Sequence, residues 1–183
     1  MGKSHLEGTE TAVIQTTERA LARGVVYIHS APRALCPHVE WAVGRALERP
    51  VDFDWRDQPV LKGARRAEYF WEGPRGLGAV LASALRGWEH LRYEVTEDAG
   101  LGTDGGRWMH TPDLGIFHAQ TDTAGNLVVP EDRIRAALES AGSDPFELRR
   151  ELRVALGDAW DEELEVFRHA TEDVPVTWLH KVG

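Results

Sequence analysis

The chain has 183 residues, 42% of them hydrophobic and 28% charged, and a formal net charge of -9. That length suits one domain, or one domain with an appendage, and the balance of residue types excludes wholesale disorder. The single cysteine, Cys36, excludes an internal disulfide framework and any zinc site with two or more thiolates from one chain.

Residues 1–23 are polar and read as a mobile extension, with a short helix near Glu18 to Leu21. Val25-Val26-Tyr27-Ile28, bounded by Gly24 and Ser30-Ala31-Pro32, predicts a buried strand. Cys36-Pro37 opens a helix, since proline suits the first turn, and Val39, Ala42, Val43, Ala46 and Leu47 continue it until Pro50. Val51 to Trp55 alternates apolar and acidic residues as a half-buried strand does, and Arg66 to Glu72 predicts another strand, closed by Gly73-Pro74. Leu77, Val80, Leu81, Ala84, Leu85 and Trp88 line one side of an amphipathic helix. Leu91 to Val95 then alternates as a fourth strand. The order is β-α-β-β-α-β, which predicts an α+β fold with a ferredoxin-like βαββαβ sandwich over residues 24–98.

Residues 99–183 are expected to form a loop, a hairpin and C-terminal helices packed on that half. The hairpin is predicted from Leu114 to Ala119 and Asn126 to Val129, around Asp122-Thr123-Ala124-Gly125, with Arg107 to His110 in the preceding connection. Three helices follow. One runs from Pro130 to Gly142, one starts at the cap Asp144-Pro145-Phe146-Glu147 and ends at Gly157, and one is capped by Asp158 and buries Trp160, Leu164 and Phe167. Val176 to Leu179 reads as a last strand or a docked tail.

Charge is uneven: residues 1–100 carry 13 Lys+Arg against 14 Asp+Glu, and residues 101–183 carry 8 against 16. No Lys/Arg stripe with interleaved aromatics is present, which argues against nucleic-acid binding. No apolar run approaches the roughly 20 residues that cross a bilayer, and no signal-peptide pattern is present. A cytoplasmic protein without a membrane partner is expected.

Every catalytic template lacks a part. Cys36 at a helix N-cap would meet unpaired N–H groups and the positive dipole end, which lowers a thiol pKa. With His29 and His38 near it in sequence, it is the candidate nucleophile, although a buried thiol that caps passively is the preferred reading. His38-Val39-Glu40 matches half of the zinc deaminase pattern, but the cysteines of the other half are missing, so a deaminase is excluded. A metal site from His29, Cys36, His38, His110 and His118 would need long-range convergence, so no metal and no cofactor are expected. Gly100 to Gly105 fits G-x-G-x-x-G as a string, yet no helix opens after it. The loop Gly73 to Gly78 is better placed, and Arg75, Gly76 and Gly78 form a candidate anion site; close packing of helix on sheet is the competing reason for its glycines.

Binding candidates are more numerous. Arg107 to Asp113 with His118 is the densest polar-aromatic stretch, which singles out Arg107, Trp108, His110, Asp113 and His118. Trp41 points away from the apolar stripe of its helix, with His38 and Arg45 beside it, and the C-terminal helices are expected to cover it. The sheet face away from the first two helices should present Asp52, Asp54, Arg66, Glu68, Phe70, Arg92 and Glu94 around Val25, Tyr27 and His29. Such a mixed face is solvated by default and suits a binding groove or a lid.

Gly24-Val25-Val26-Tyr27-Ile28-His29-Ser30-Ala31-Pro32, Ala34 to Trp41, Ala82 to Trp88 and His110 to His118 resemble the actinobacterial family of unknown function DUF3145. The likeness runs from about Gly24 to the C-terminus. It implies no activity, but it suggests a link to type II fatty-acid synthesis, with acyl carrier protein or one of its enzymes as partner. An acidic partner would require a local basic patch, such as Arg65-Arg66 or Arg33 with Arg45. The leading expectation is a non-enzymatic binding or regulatory protein, and the alternative is a small enzyme using Cys36 or a histidine-based metal site.

Overall fold

The computed structural model describes residues 21–170, so the expected tail over residues 1–20 and the strand at Val176 to Leu179 lie outside the described residues. The β-branched run Val25–Ile28 sits inside a 12-residue strand, β1 (Leu21–Pro32), which begins three residues before the expected boundary. A bulge between Ile28 and Ala31 shifts its register against the neighbouring strands. Val26 and Ile28 face a fully buried core while Val25 and Tyr27 are half-exposed on the other side, the alternation that a strand imposes.

The other strands are β2 (Arg56–Asp57), β3 (Ala64–Pro74), β4 (Arg92–Glu97), β5 (Gly105–Thr111), β6 (Gly115–Thr121) and β7 (Leu127–Val128). They form one seven-stranded sheet in the order β2-β3-β1-β4-β5-β6-β7, every neighbouring pair antiparallel. Five α-helices accompany it: α1 (Cys36–Ala46), α2 (Leu77–Leu85), α3 (Glu131–Ala141), α4 (Pro145–Leu156) and α5 (Asp158–Arg168). The protein is therefore α+β.

The main core lies between the sheet and the pair α1 and α2. Val39 and Val43 of α1 and Leu81 and Leu85 of α2 bury against Val26, Ile28, Tyr93 and Val95. The Tyr93 hydroxyl, drawn into that core, donates to the Ala82 carbonyl at 2.9 Å. On the opposite face a smaller cluster forms under α5, where Leu164 packs with Met109 and Phe117.

Three elements differ from expectation. Val51 to Trp55 is not a strand, although its alternation is real, since Phe53 is buried and Asp52 and Asp54 are exposed. The Glu40 carboxylate on α1 accepts from the Phe53 N–H (3.2 Å) and the Trp55 Nε1–H (2.8 Å), which ties the segment to the helix, and the ladder with β3 forms only at Arg56 and Asp57. The expected hairpin is present as β6–β7, but β6 also pairs along its length with β5, turning at Pro112–Leu114, so Arg107 to His110 are strand, not connection, and extend the same sheet from β4. Gly106 fits there because the Trp108 ring lies where a Cβ would stand, 2.4 Å from Cη2. The Asp122 turn follows one strand later, its carboxylate accepting from the Ala124 and Asn126 N–H groups. Finally, Asp144 caps α4 as expected, but α5 is preceded by the left-handed Gly157, and Asp158 instead pairs with Arg153 at 2.8 Å.

The small cluster is what apolar burial offers α5. Leu164→Ala should lower unfolding stability by about 2–4 kcal/mol, read as a shift of the urea midpoint at constant slope. A loss below about 1 kcal/mol would show that the helix is held by its charges alone.

Candidate functional site

The face of the sheet away from α1 and α2 follows from register. Tyr27 pairs with Glu94 and with Glu68, and Glu94 pairs with Met109, so these side chains alternate with the core residues Ile28, Tyr93 and Val95. Among the described residues, α5 covers this face over β4 to β6, reaches β1 with its C-terminal end and leaves the β3 side uncovered. Between them lies a cleft of about 670 Å³ lined by Tyr27, His29, Arg66, Glu68, Thr96 and Phe167, with Asp54, Arg56, Glu94 and Arg168 also on its walls.

A buried carboxylate organises the back of the cleft. Glu94, 6% exposed, accepts from Arg107 Nε at 2.6 Å and Arg168 Nη2 at 2.9 Å, and its Oε2 lies 3.4 Å from His29 Nε2. The same two arginines both reach Asp161 Oδ1, at 2.9 and 2.8 Å, so two acids and two guanidiniums close a ring that joins sheet to helix. Burial pushes the Glu94 carboxyl up, but the His29 hydrogen bond and the charges of Arg107 and Arg168 outweigh it and hold the group at about 2.

Neighbouring groups fix the walls. The Tyr27 and His29 rings stack at 5.9 Å and 3°, a flat pair on one strand face. Burial pushes the Tyr27 phenol up, helped by Glu68, Glu94 and Asp98. The buried Gln58 donates to the His29 carbonyl (2.6 Å) and the Phe167 carbonyl (3.3 Å), and Arg66 Nη1 donates to the Ala170 carbonyl. Arg92 spans from Glu163 (2.9 Å) to the Phe167 ring (4.6 Å).

Of the expected site residues, the structure brings His29 and Arg107 together through Glu94. Cys36 stands apart: it is the first residue of α1, after the one-turn 3-10 helix Arg33–Leu35, and not its N-cap. It is buried, its Sγ donates to the Pro32 carbonyl at 3.9 Å, and burial pushes the thiol up, the reverse of the expected lowering. His38 is exposed on α1. His110 is buried against Tyr93 (5.0 Å, 6°) with Nδ1 2.9 Å from the Leu91 carbonyl, and Trp108 stacks on His118 at 4.7 Å, both on the core side of the sheet. Burial pushes the His118 imidazole down. Asp113 sits exposed in the β5–β6 turn. Among the described residues, no three His, Cys, Asp or Glu side chains are grouped so as to hold a metal ion.

Two expectations are corrected. Trp41 is not covered by the C-terminal helices: it is 60% exposed, with the Arg45 guanidinium 5.0 Å from its ring centroid. The reason is geometric, since α5 packs on the opposite face of the sheet. The anion loop before α2 is already filled, because Glu97 at the end of β4 accepts from the Gly76 and Gly78 N–H groups, each at 2.9 Å. Arg75 lies against Gly100 instead.

Phe167 and Arg168 line the cleft and Gln58 braces its wall, but none of the three stands out in the sequence as a site residue. Nothing local marks Gln58. For α5 the signal was present, since Asp161 and Arg168 share a helical stripe with Leu164 and Phe167, the spacing of charges that border a buried contact.

The family model described as protein of unknown function (DUF3145) matches residues 25–181, and the chain belongs to that family. No curated protein and no solved structure matches it. No helix among the described residues is long and apolar enough to cross a membrane.

Because the Glu94 pKa falls on folding, its stabilisation is complete above its ordinary value of 4.5 and is lost as pH drops through about 2. The size is about 3 kcal/mol. Glu94→Gln should therefore cost about 3 kcal/mol at neutral pH and progressively less down to about pH 2, measured as urea midpoints across pH. A penalty independent of pH would remove the ionised carboxylate from the account. Glu97→Ala leaves two N–H groups at a helix start without their acceptor and should cost about 2–4 kcal/mol, with added phosphate restoring less than half of it in a thermal melt.

Proposed function

We propose that the protein is a non-enzymatic binding or regulatory protein whose ligand site is the cleft on the open sheet face. The observation that supports this most is the state of Glu94. A carboxylate held at about 2 by two arginines and a histidine is a fixed charge and a poor proton carrier near neutral pH. The rival enzyme reading needs a Cys36 thiolate, and burial of that thiol works against it. The volume of the cleft falls in the range of small-molecule sites, and its charged and polar lining surrounds a flat aromatic pair.

The order β2-β3-β1-β4 with all pairs antiparallel, and α1 and α2 on one face, supports a ferredoxin-like unit that β5 to β7 extend. A second reading concerns a protein partner. Exposed Trp41 with the Arg45 guanidinium over its ring, flanked in sequence by exposed Arg33 and Arg49 although Glu48 lies beside the latter, supports an acidic partner such as the acyl carrier protein suggested by the family resemblance.

The test is a thermal-shift screen of a metabolite library on the wild type and on Tyr27→Ala, with bound compounds recovered for mass spectrometry. A ligand at about a hundred times its Kd adds about 2.7 kcal/mol, several degrees in Tm. The expected result is a shift in the wild type, none in Tyr27→Ala, and compound recovered unchanged. Recovery of a chemically altered compound would give the function to the enzyme reading, and a shift equal in both proteins would move the site elsewhere.

A further inference from the structure

We propose that the cleft recognises a zwitterionic α-amino acid with a planar side chain, its carboxylate on Arg66 and its ammonium on Glu68. This inference rests on the cleft being a ligand site. It comes from charge accounting along the walls. Asp54 pairs with Arg56 at 2.8 Å, Arg168 with Glu94 at 2.9 Å, and Glu94 also with Arg107. Among the described residues that leaves two lining charges without an ionic partner, and they are opposite in sign.

Arg66 and Glu68 stand two residues apart on β3, so both project from the same face. Their spacing leaves them unpaired with each other, and a ligand that carries both charges on substituents of one carbon satisfies both. Arg66 donates Nη1 to the Ala170 carbonyl, which leaves the rest of the guanidinium fork for an incoming carboxylate. Glu68 lies directly opposite Tyr27 in the β1–β3 register. A ligand held at these two charges therefore has its α-carbon one strand away from the stacked Tyr27 and His29 rings, with Phe167 on the far wall. A flat side chain stacks on that pair better than a branched one.

The alternatives fit less well. A simple anion would leave Glu68 facing it, and a simple cation would leave Arg66 facing it; each is a like-charge contact that costs affinity. A neutral aromatic compound would desolvate both charges without compensation.

The experiment uses the full chain with three probes: L-phenylalanine, N-acetyl-L-phenylalanine, which lacks the ammonium, and L-phenylalaninamide, which lacks the carboxylate. Binding is followed by calorimetry and by NMR shifts. L-Phenylalanine should bind with a Kd of about 1 mM or tighter, and each derivative at least about tenfold more weakly. Glu68→Gln, a surface change that leaves the core untouched, should abolish the preference over the N-acetyl compound and keep the preference over the amide. Arg66→Gln, checked for folding by circular dichroism, should do the reverse. Absence of binding by L-phenylalanine, equal binding of the three probes, or discrimination unchanged in both variants would overturn the inference. If L-phenylalanine fails while a compound from the thermal-shift screen still protects the wild type and not Tyr27→Ala, only this inference falls. If nothing protects, the cleft reading falls with it.

Discussion

The structure depends on one buried ion ring. A carboxylate in the middle of a sheet face costs several kcal/mol to desolvate, and only charged partners in good geometry offset that. Glu94 obtains them from two directions, Arg107 on the adjacent strand and Arg168 on the last described helix, and Asp161 closes the ring by holding both arginines. The ring sets the position of α5 more narrowly than the small apolar cluster of Met109, Phe117 and Leu164 can, because hydrogen bonds are directional and burial is not. Because the ring holds the C-terminal end of α5 at β1 and β4, the β3 side of the face is uncovered among the described residues. The cleft is the remainder of a sheet only partly covered.

The same logic explains what sequence reading reached. Strands and helices that bury a regular stripe were legible: β1, β3, β4, α1 and α2 follow directly from periodicity, because their burial is set by the pleat or the helical turn. The open face was legible for the same reason, since once Val26 and Ile28 are assigned inward, Tyr27, His29, Glu68 and Glu94 must face outward. What alternation could not show is which strand partner is lost to a competing hydrogen bond. Val51 to Trp55 has the pattern of a strand, and Glu40, 13 residues before Phe53, takes the N–H that the pattern assumes is free for the ladder. β5 was obscured by composition, because Gly105 and Gly106 look like loop and are there to admit Trp108 and the end of β4.

The glycine loop before α2 shows how an anion-binding pattern is answered within one chain. Helix starts attract negative charge whatever its source. The loop alone cannot say whether that charge is a ligand or a side chain far along the sequence. Here it is Glu97, 19 residues after Gly78, brought back by the β-strand that follows the helix. Its two oxygens each take one amide, so the helix start is neutralised and the ligand question moves to the sheet face.

Charge distribution separates the two surfaces that remain for partners. The acidic excess of the second half is partly spent in pairing, with Asp161, Glu163 and Glu165 bound to Arg107, Arg92 and Arg168. α5 and α1 lie on opposite faces of the sheet, two layer spacings of roughly 10 Å apart, while the screening length for solvent-exposed charges at physiological salt is about 8 Å. The negative field of α5 is therefore largely screened before it reaches Arg33, Arg45 and Arg49. Under the proposed partner reading, Arg33, Arg45 and Arg49 on and beside α1 would offer local positive charge to an acidic surface on a protein of net charge -9, with Trp41 as the apolar contact. That surface and the cleft lie on opposite sides of β1, so the same strand that seats Tyr27 and His29 also carries the core against which α1 rests.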